Sequence, residues 1–107
     1  MSHLESEYLF QIKAAGLPLP REQYRIDTER RFRWDYAWPE MLLAVEINGG
    51  TWVKSGHTTG KGIARDAEKI NLATLRGYHT LVFTAEMIRD GRALAWTQEF
   101  FKRFTPF

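Results

Sequence analysis

The sequence predicts an α/β domain in which a central mixed sheet of four strands is flanked by helices. Apolar residues recur with helical spacing in some segments and alternate with other residues in others, and together these segments follow the order αβββαβα. Glycine and proline stand singly between the segments, without a repeat, a linker or a low-complexity tract. A meander of three strands, a crossover helix and a fourth strand imply a sheet with antiparallel and parallel pairs.

The length and composition limit the classes of protein that need to be considered. The 107 residues suit a single domain over residues 1–107, and the absence of cysteine excludes disulfides, iron–sulfur clusters and thiolate zinc sites. The longest apolar run, residues 41–45, is far shorter than the roughly 20 residues of a membrane span, and the acidic start does not read as a signal peptide. We therefore expect a soluble cytoplasmic protein with no membrane partner. A net charge of +2 permits a nucleic-acid partner without requiring one.

The first half of the chain is predicted to form a helix and three strands. The helix covers residues 4–15 and ends before two prolines. Strands follow over residues 22–26, 31–38 and 42–48. The second strand alternates aromatic residues with others, and we assign its aromatic face to the core. The members of that face are Phe32, Trp34, Tyr36 and Trp38.

The second half is predicted to begin with a long glycine-rich loop over residues 49–62, and such loops are often functional. A helix follows over residues 63–76, with Ile63, Ala67 and Ile70 at helical spacing and Gly77 as its cap. Residues 78–83 form the fourth strand, and Thr84 caps a last helical region that reaches residue 104 and is interrupted near Gly91. Its spaced aromatic residues are assigned to the core: Trp96, Phe100 and Phe104.

Two acidic residues on the second and third strands are predicted to face each other. A turn centred on residues 40–41 pairs Pro39 with Leu42, and counting back places Asp35 opposite Glu46. Opposite partners share one face of the sheet, with Cβ atoms roughly 4.5–5.5 Å apart. Asn48 lies on the same face two residues further on.

This pair of carboxylates predicts a metal site. Glu46 interrupts an apolar run in a strand that reads as buried, and a buried unpaired carboxylate is unfavourable. Because two adjacent carboxylates repel each other, a hard divalent cation is the simplest partner. The alternative is that both acids are solvated on an exposed face of the sheet.

A longer pattern surrounds the two acids and extends from residue 6 to residue 88. It consists of residues 34–39, 45–52, 56–57, 65–66, 77–78 and 81–83, together with Lys69, Asn71 and Leu75. This pattern resembles the PD-(D/E)XK nuclease superfamily, and within it the small phage and prophage endonuclease-domain proteins related to very short patch repair endonucleases. The resemblance implies a restriction-endonuclease-like αβββαβ core, with an extra helix at the C-terminus.

The resemblance also implies Mg²⁺-dependent hydrolysis of DNA phosphodiester bonds, with Mn²⁺ as a substitute. Asp35, Glu46 and the backbone carbonyl of Ile47 would hold the metal, which polarises the scissile phosphate and lowers the pKa of a bound water. Glu7 on the first helix looks like the acid that many members place beside this metal, and Glu5 is the competing choice.

The sequence departs from the family at Asn48, where a lysine is usual. The Asn48 amide can orient water but cannot supply positive charge. Lys69 is one replacement, since the lysine has moved to a helix in some branches of the superfamily, and the alternative is a surface pair between Asp66 and Lys69. His57 is the other, because it resembles a loop histidine of the repair endonucleases and imidazole transfers protons near neutral pH.

DNA contacts are expected from basic residues around this face, which would neutralise phosphates: Arg33, Lys54, Lys61 and Arg65, with Arg30 and Arg31 beside them. Trp52 would stack on a base or wedge into a duplex, unless it is packed inside the protein.

The expected function is DNA processing or repair in a phage or prophage, in the bacterial host or infected cell. Branched, mismatched or single-stranded DNA suits so small a domain, and a homodimer would suit paired nicks by analogy. The alternative is a DNA-binding module on a nuclease fold that has lost catalysis, as the departure at Asn48 suggests. A nuclease directed at RNA would share every feature named above.

Overall fold

A computed structural model of the chain describes residues 2–48 and 60–104, apart from the side chains of residues 60 and 61. The predicted order of elements is confirmed, and the last helical region is divided in two at Gly91. The elements are α1 (His3–Ala14), β1 (Arg21–Tyr24), β2 (Trp34–Trp38), a 3₁₀ turn (Pro39–Met41), β3 (Leu43–Ile47), α2 (Gly60–Leu75), β4 (His79–Phe83), α3 (Ala85–Arg89) and α4 (Arg92–Arg103).

The four strands form one mixed sheet in the order β1-β2-β3-β4. The pairs β1–β2 and β2–β3 are antiparallel, whereas β3 and β4 are parallel and are connected through α2. The predicted fold class is therefore confirmed. Within the described part of the chain, no helix is long and apolar enough to cross a membrane.

The helix boundaries follow from local capping. The Ser2 hydroxyl accepts a hydrogen bond from the Glu5 backbone N–H, and the Glu5 carboxylate accepts one from the Ser2 backbone N–H, so a capping box begins α1. Gly16, with φ of 76°, ends the helix in the left-handed conformation that glycine adopts readily. Thr84 caps α3 as predicted, with its hydroxyl accepting from the Met87 N–H at 3.3 Å.

The hairpin between β2 and β3 has the predicted register. Its ladder pairs Trp38 with Leu43 and Tyr36 with Val45, so Asp35 and Glu46 lie one step beyond the last pair. Leu42, which closes the turn, has φ of 53°. The turn length therefore sets which residues of the two strands meet.

The main core lies between the sheet and the helices α1, α3 and α4. Tyr8 and Ile12 of α1, Phe83 of β4 and Phe100 of α4 are buried there. From the two central strands Tyr36, Trp38, Leu43 and Val45 join them. The other side of the sheet is covered by α2, where a smaller cluster contains Trp34, Ala44 and Ala73. Two layers of helices thus enclose the sheet.

Trp34 was predicted to share a face with Tyr36, and that prediction is wrong because Trp34 packs in the α2 cluster. The alternation fails at the intervening residue, Asp35, whose carboxylate accepts the Ile47 backbone N–H instead of lying on one face of the sheet. On the neighbouring strand Gln23 has φ of 50°, a left-handed conformation that also departs from regular β geometry.

Two other core assignments need correction. Trp96 and Phe104 are 41% and 47% exposed, so only Phe100 of the α4 aromatic residues is buried in the core. On α2, Ile63 is 59% exposed, and the face towards the sheet is formed by Ile70 and Ala73 with polar neighbours. The polar neighbours Asp66 and Lys69 lie beside Glu46, which requires polar partners.

Candidate active site

The candidate site lies where β3 ends, between the start of β2 and the middle of α2. Asp35 and Glu46 come from the two antiparallel strands, and Lys69 comes from the helix. Asp66, Lys69, Ile70 and Ala73 are spaced as i, i+3, i+4 and i+7, which places them along one side of α2. The crossover from β3 to β4 thus brings a helix with polar residues over the two acids.

The Asp35 side chain acts as a hydrogen-bond acceptor for β3 just beyond the last backbone pair of β2 and β3. Its Oδ2 accepts the Ile47 backbone N–H at 2.7 Å, which satisfies a donor that the β2 backbone does not reach. Its Oδ1 accepts a long bond of 3.4 Å from Gln23 Nε2, and its own backbone N–H lies 3.4 Å from Glu46 Oε1. The two acids are therefore neighbours, as the register predicts.

Glu46 is paired with Lys69. Lys69 Nζ donates to Glu46 Oε2 at 2.8 Å, and the side chains are only 12% and 23% exposed, respectively. The ammonium also lies 4.7 Å from the centroid of the Trp34 ring. A shielded charged hydrogen bond and a cation–π contact together hold Lys69 towards the site.

Burial dominates the electrostatics of Glu46. Removal from water raises the pKa of Glu46 above its ordinary value of 4.5, and the negative charge of Asp35 adds to this effect. The hydrogen bond and positive charge of Lys69 act in the opposite direction. Glu46 is thus a carboxylate that benefits from positive charge in its surroundings.

Helix α1 brings Glu5, rather than Glu7, to Asp35. The pKa of Glu5 is raised by burial and by the nearby charge of Asp35. Residues two apart on a helix do not share a face, so the direction of Glu5 leaves Glu7 facing elsewhere. The structure thus favours the competing choice, and the role of Glu7 at a metal has no support from its position.

Asn48 and Ile47 lie at the mouth of the site. The Asn48 backbone N–H donates to the Phe83 carbonyl at 2.8 Å, which continues the pairing of β3 with β4. The Asn48 side chain lines a cavity together with Glu46, Asp66 and Lys69. The Ile47 N–H is bound by Asp35, and its carbonyl as a metal ligand stays a prediction.

The donor chemistry of the two acids fits a hard divalent cation. Asp35 Oδ1 and Glu46 Oε1 accept long hydrogen bonds of 3.4 Å from described residues, and a carboxylate oxygen in such a bond has a further lone pair for an ion. Among residues 2–48 and 60–104, no three His, Asp or Glu side chains are placed to hold one ion together. Mg²⁺ commonly binds through one or two carboxylates, with water and substrate phosphate as further ligands, so two suffice.

The remaining predicted site residues are only partly described. His57, Trp52 and Lys54 lie outside the described residues, and so does the side chain of Lys61. Arg33 and Arg65 are exposed, as DNA contacts would need to be. Among the neighbouring basic residues, Arg30 forms an ion pair with Glu68 at 3.4 Å.

Trp34 and Glu5 are the two site residues that sequence reasoning placed wrongly or left open. Trp34 reads as one more member of an aromatic stripe, and no sequence signal marks the break in alternation at Asp35. For Glu5 a signal exists, since it lies three and seven residues before the buried Tyr8 and Ile12 and therefore on the same side of α1.

Comparison with solved structures shows a protein of the same fold. The chain is similar to the catalytic domain of the homing endonuclease I-Bth0305I, with a TM-score of 0.75 and 15% sequence identity over 99% of this chain and 100% of that domain. No protein-family model matches the chain, and no curated protein matches it in sequence. The similarity shows a nuclease fold, in agreement with the predicted restriction-endonuclease-like core.

Proposed function

We propose that this protein is a Mg²⁺-dependent endonuclease of the PD-(D/E)XK superfamily that hydrolyses DNA phosphodiester bonds. The observation that carries the proposal is the meeting of two strand carboxylates with a helix lysine, in which Lys69 Nζ lies 2.8 Å from Glu46 Oε2 beside Asp35. The likeness to a homing endonuclease catalytic domain supports the same reaction class.

Asp35 and Glu46 would hold the cation, with the Ile47 carbonyl as a further ligand. When bound there, Mg²⁺ or Mn²⁺ supplies Lewis-acid stabilisation of the phosphate and a water of lowered pKa. The two carboxylates are weakly engaged on one oxygen each, which leaves those oxygens available to the ion.

Lys69 would provide the positive charge that Asn48 lacks. Its ammonium is fixed by Glu46 on one side and by the Trp34 ring on another, so it needs little reorganisation when negative charge develops on a phosphate. Asn48 would orient a water or a phosphate oxygen through its amide. His57 is retained as a candidate for proton transfer.

DNA is the proposed partner, with Arg33 and Arg65 contacting phosphates at the exposed edge of the site. Lys54, Lys61 and Trp52 are proposed to extend this contact. We propose processing or repair of phage or prophage DNA as the setting, with branched, mismatched or single-stranded DNA as the substrate and a homodimer for paired nicks.

A second function is a DNA-binding module without catalysis. The observation that favours it is the amide at Asn48, combined with a site in which no three acids of the described residues are placed to hold one ion. Such a protein would bind DNA through the same basic residues and would leave it intact.

Incubation of the purified protein with supercoiled, single-stranded and branched DNA, in Mg²⁺ or Mn²⁺, distinguishes these functions. We expect cleavage that EDTA abolishes and that Asp35→Asn and Glu46→Gln each reduce by about 100-fold or more, since each removes a metal ligand. Intact DNA in every reaction, with no binding of either ion by calorimetry, would refute the nuclease and favour the binding module. RNA substrates of matched sequence test the specificity for DNA.

A further inference from the structure

The two edges of the sheet differ in how they are protected from pairing with another strand. At one edge, β1 carries the charged residues Arg21 and Glu22, and Gln23 departs from regular β geometry with φ of 50°. Such charges and irregularities keep an edge strand from pairing with a foreign strand. At the other edge, the five residues of β4 include neither proline nor an acidic, lysine or arginine residue. The edge formed by β4 therefore lacks the protection that β1 has.

The outer backbone groups of β4 are placed to bind a further strand. The His79 N–H and the Phe83 carbonyl each form a hydrogen bond of 2.8 Å on the side of β3. Because successive residues of a strand direct their backbone groups to opposite edges, Thr80 and Val82 direct theirs outwards. In the described part of the chain, β4 pairs with β3 alone. Two donors and two acceptors thus stand at this edge without a strand to bind them.

Aromatic rings accompany this edge on the side of the main core. Helix α4 runs back along β4, with the Trp96 ring 6.5 Å from the ring of Phe83 and the Phe104 ring 4.6 Å from the ring of His79. Trp96 and Phe104 are the two aromatic residues of this region that the monomer leaves 41% and 47% exposed. Phe83 and His79 are each two residues from Leu81. The two exposed rings therefore lie on opposite sides of Leu81, at similar distances along the strand.

An antiparallel pair of two β4 strands would use all of the outward backbone groups. With a twofold axis at Leu81, Thr80 of each copy lies opposite Val82 of the other. Each such pair exchanges two N–H to carbonyl hydrogen bonds, as directly opposed residues do in an antiparallel ladder. The edge is thus complementary to a second copy of itself, with no outward donor or acceptor left over.

The same axis brings the exposed rings together. Phe83 of one copy lies opposite His79 of the other, so Trp96 of each copy reaches the level of Phe104 of the other. Tryptophan is one of the residues that most often anchor protein interfaces. A net charge of +2 causes little repulsion between copies. One patch therefore meets its own image through different residues, which is the requirement for a closed twofold dimer.

We propose that the protein forms a homodimer by antiparallel pairing of β4, which joins two four-stranded sheets into one continuous sheet. The inference rests on the proposed function only for the homodimer named there, to which it gives an interface. The twofold axis of an antiparallel strand pair is perpendicular to the sheet, so both copies of α2 lie on the same face. The two candidate active sites would then face the same side, which suits paired cuts in one DNA duplex.

The first experiment measures association without DNA or metal. Sedimentation velocity of the full-length protein, at up to about 100 µM, distinguishes a chain of 12.5 kDa from a dimer of twice that mass. We expect a concentration-dependent dimer that Trp96→Ala weakens at least about tenfold, because both copies lose an anchor. Phe10→Ala, an exposed aromatic residue of α1, is the control and should leave the dimer unchanged. A monomer at every concentration, or a dimer equally tight in Trp96→Ala, would overturn the inference and leave the nuclease function standing.

Single cysteines test the register, because the chain has none of its own. Leu81→Cys, at the axis, places the two Cα atoms about 4.5 Å apart, within the range that a disulfide spans. Val82→Cys, the neighbouring control at a more exposed residue, places them roughly 8 Å apart and beyond that range. We expect mild oxidation to cross-link Leu81→Cys at least about tenfold faster than Val82→Cys. Equal rates would overturn the proposed pairing even if the protein dimerises.

A mixture of two variants covers the case in which Leu81→Cys does not fold. Thr80→Cys and Val82→Cys lie opposite each other in the proposed pair, so their equal mixture should form a mixed disulfide faster than either variant cross-links alone. Urea unfolding checks that each variant is folded. A mixture that cross-links no faster than its components would overturn the register. If the dimer forms as proposed and every DNA substrate stays intact, the nuclease function fails and the interface stands.

Discussion

Lys69 links the helix to the acidic pair, because its ammonium donates to Glu46 and also lies against Trp34. From the sequence, a position of Lys69 inside the site was only one of two alternatives. The spacing to Asp66 permits a surface pair, and only the height and rotation of α2 over the sheet show that Lys69 points inward. Such rotations depend on packing between elements that are distant in sequence.

Replacing Lys69 by methionine is expected to destabilise the metal-free protein. The variant leaves the partly buried Glu46 carboxylate without its charged donor, and a loss of about 1.5–3 kcal/mol in the free energy of unfolding follows from the usual contribution of such bonds. Urea unfolding in EDTA measures this quantity. Lys102→Met, at an exposed position on α4, is the control.

A double-mutant cycle with Glu46→Gln isolates the interaction between Lys69 and Glu46 from the contacts that each makes with the rest of the protein. If the two groups stabilise each other, Lys69→Met will be much less destabilising in the Glu46→Gln background. Additive effects of the two changes would contradict the pairing described above.

Glu5 and Glu7 provide a matched comparison on one helix. We expect Glu5→Gln to weaken Mg²⁺ binding by a few-fold, because it removes a negative charge close to Asp35, and Glu7→Gln to leave binding unchanged. Gln at position 5 can still complete the capping box, so the start of α1 is preserved. Calorimetric titration gives both affinities, and a larger effect at Glu7 would reverse the assignment.

The connection between β1 and β2 is held by hydrogen bonds within it and by an ion pair to the residue that follows α2. Arg25 donates to the backbone carbonyls of Thr28 and Arg30, and Arg76, directly after α2, pairs with Asp27 at 3.0 Å. These contacts fix the approach to β2, and hence to Arg33. Sequence patterns do not reveal them, because they join side chains to the carbonyls of an irregular segment.

Asp27 makes this element sensitive to acid. The Glu29 backbone N–H at 2.8 Å, together with the guanidinium of Arg76, holds the pKa of Asp27 below its ordinary value of 3.8. A lowered pKa contributes stability above the unfolded value of 3.8, and that stability is lost as the pH falls through the folded value.

Wild-type protein should therefore be more stable than Asp27→Asn at neutral pH, and the difference should shrink below pH 3.8. Urea unfolding at a series of pH values measures both curves, with Glu40→Gln in the exposed turn as the control. A difference that stays constant with pH would show that Asp27 acts through its shape alone.

The elements themselves were largely predictable from sequence, and the faces of two of them were not. Alternation and helical spacing identify β2, β3 and α2 because these segments bury apolar residues. At Asp35 and along α2 the site requires polar groups, so the hydrophobic pattern no longer reports which side faces inward. The error at Trp34 therefore lies beside the candidate site.

At the scale of the whole molecule, stability depends on the core beneath the sheet. Tyr8 is fully buried, its ring lies 5.6 Å from that of Tyr36, and its hydroxyl bonds Thr97 at 2.7 Å. We expect Tyr8→Phe to lower the free energy of unfolding by about 1 kcal/mol and Tyr8→Ala by about 3–5 kcal/mol. Phe10→Ala, on the same helix but 70% exposed, should change it by less than about 0.5 kcal/mol. Denaturant titrations that rank these variants otherwise would contradict the packing described here.

The distribution of charge over the molecule predicts how DNA binding responds to salt. Asp35 and Glu46 lie inside the site, whereas Arg33 and Arg65, each next in sequence to a residue that lines the cavity, are exposed. If Arg33 and Arg65 each contact a phosphate, each replacement by alanine should lower the slope of log affinity against log salt by about 0.9. Fluorescence anisotropy with Ca²⁺ in place of Mg²⁺ measures the slopes. Lys102→Ala, beyond the far end of the sheet, should leave the slope unchanged.

The tight hairpin between β2 and β3 has a consequence for recognising distant relatives. Its register puts Asp35 and Glu46 eleven residues apart, and each further rung of the ladder would add one residue to both strands. With the same turn, the separation of the two acids can change only in steps of two. Homologues that diverge beyond sequence similarity should therefore keep an odd number of residues from the first acid to the second. A search that requires an odd spacing of the two acids, rather than particular residues in the turn, would find them.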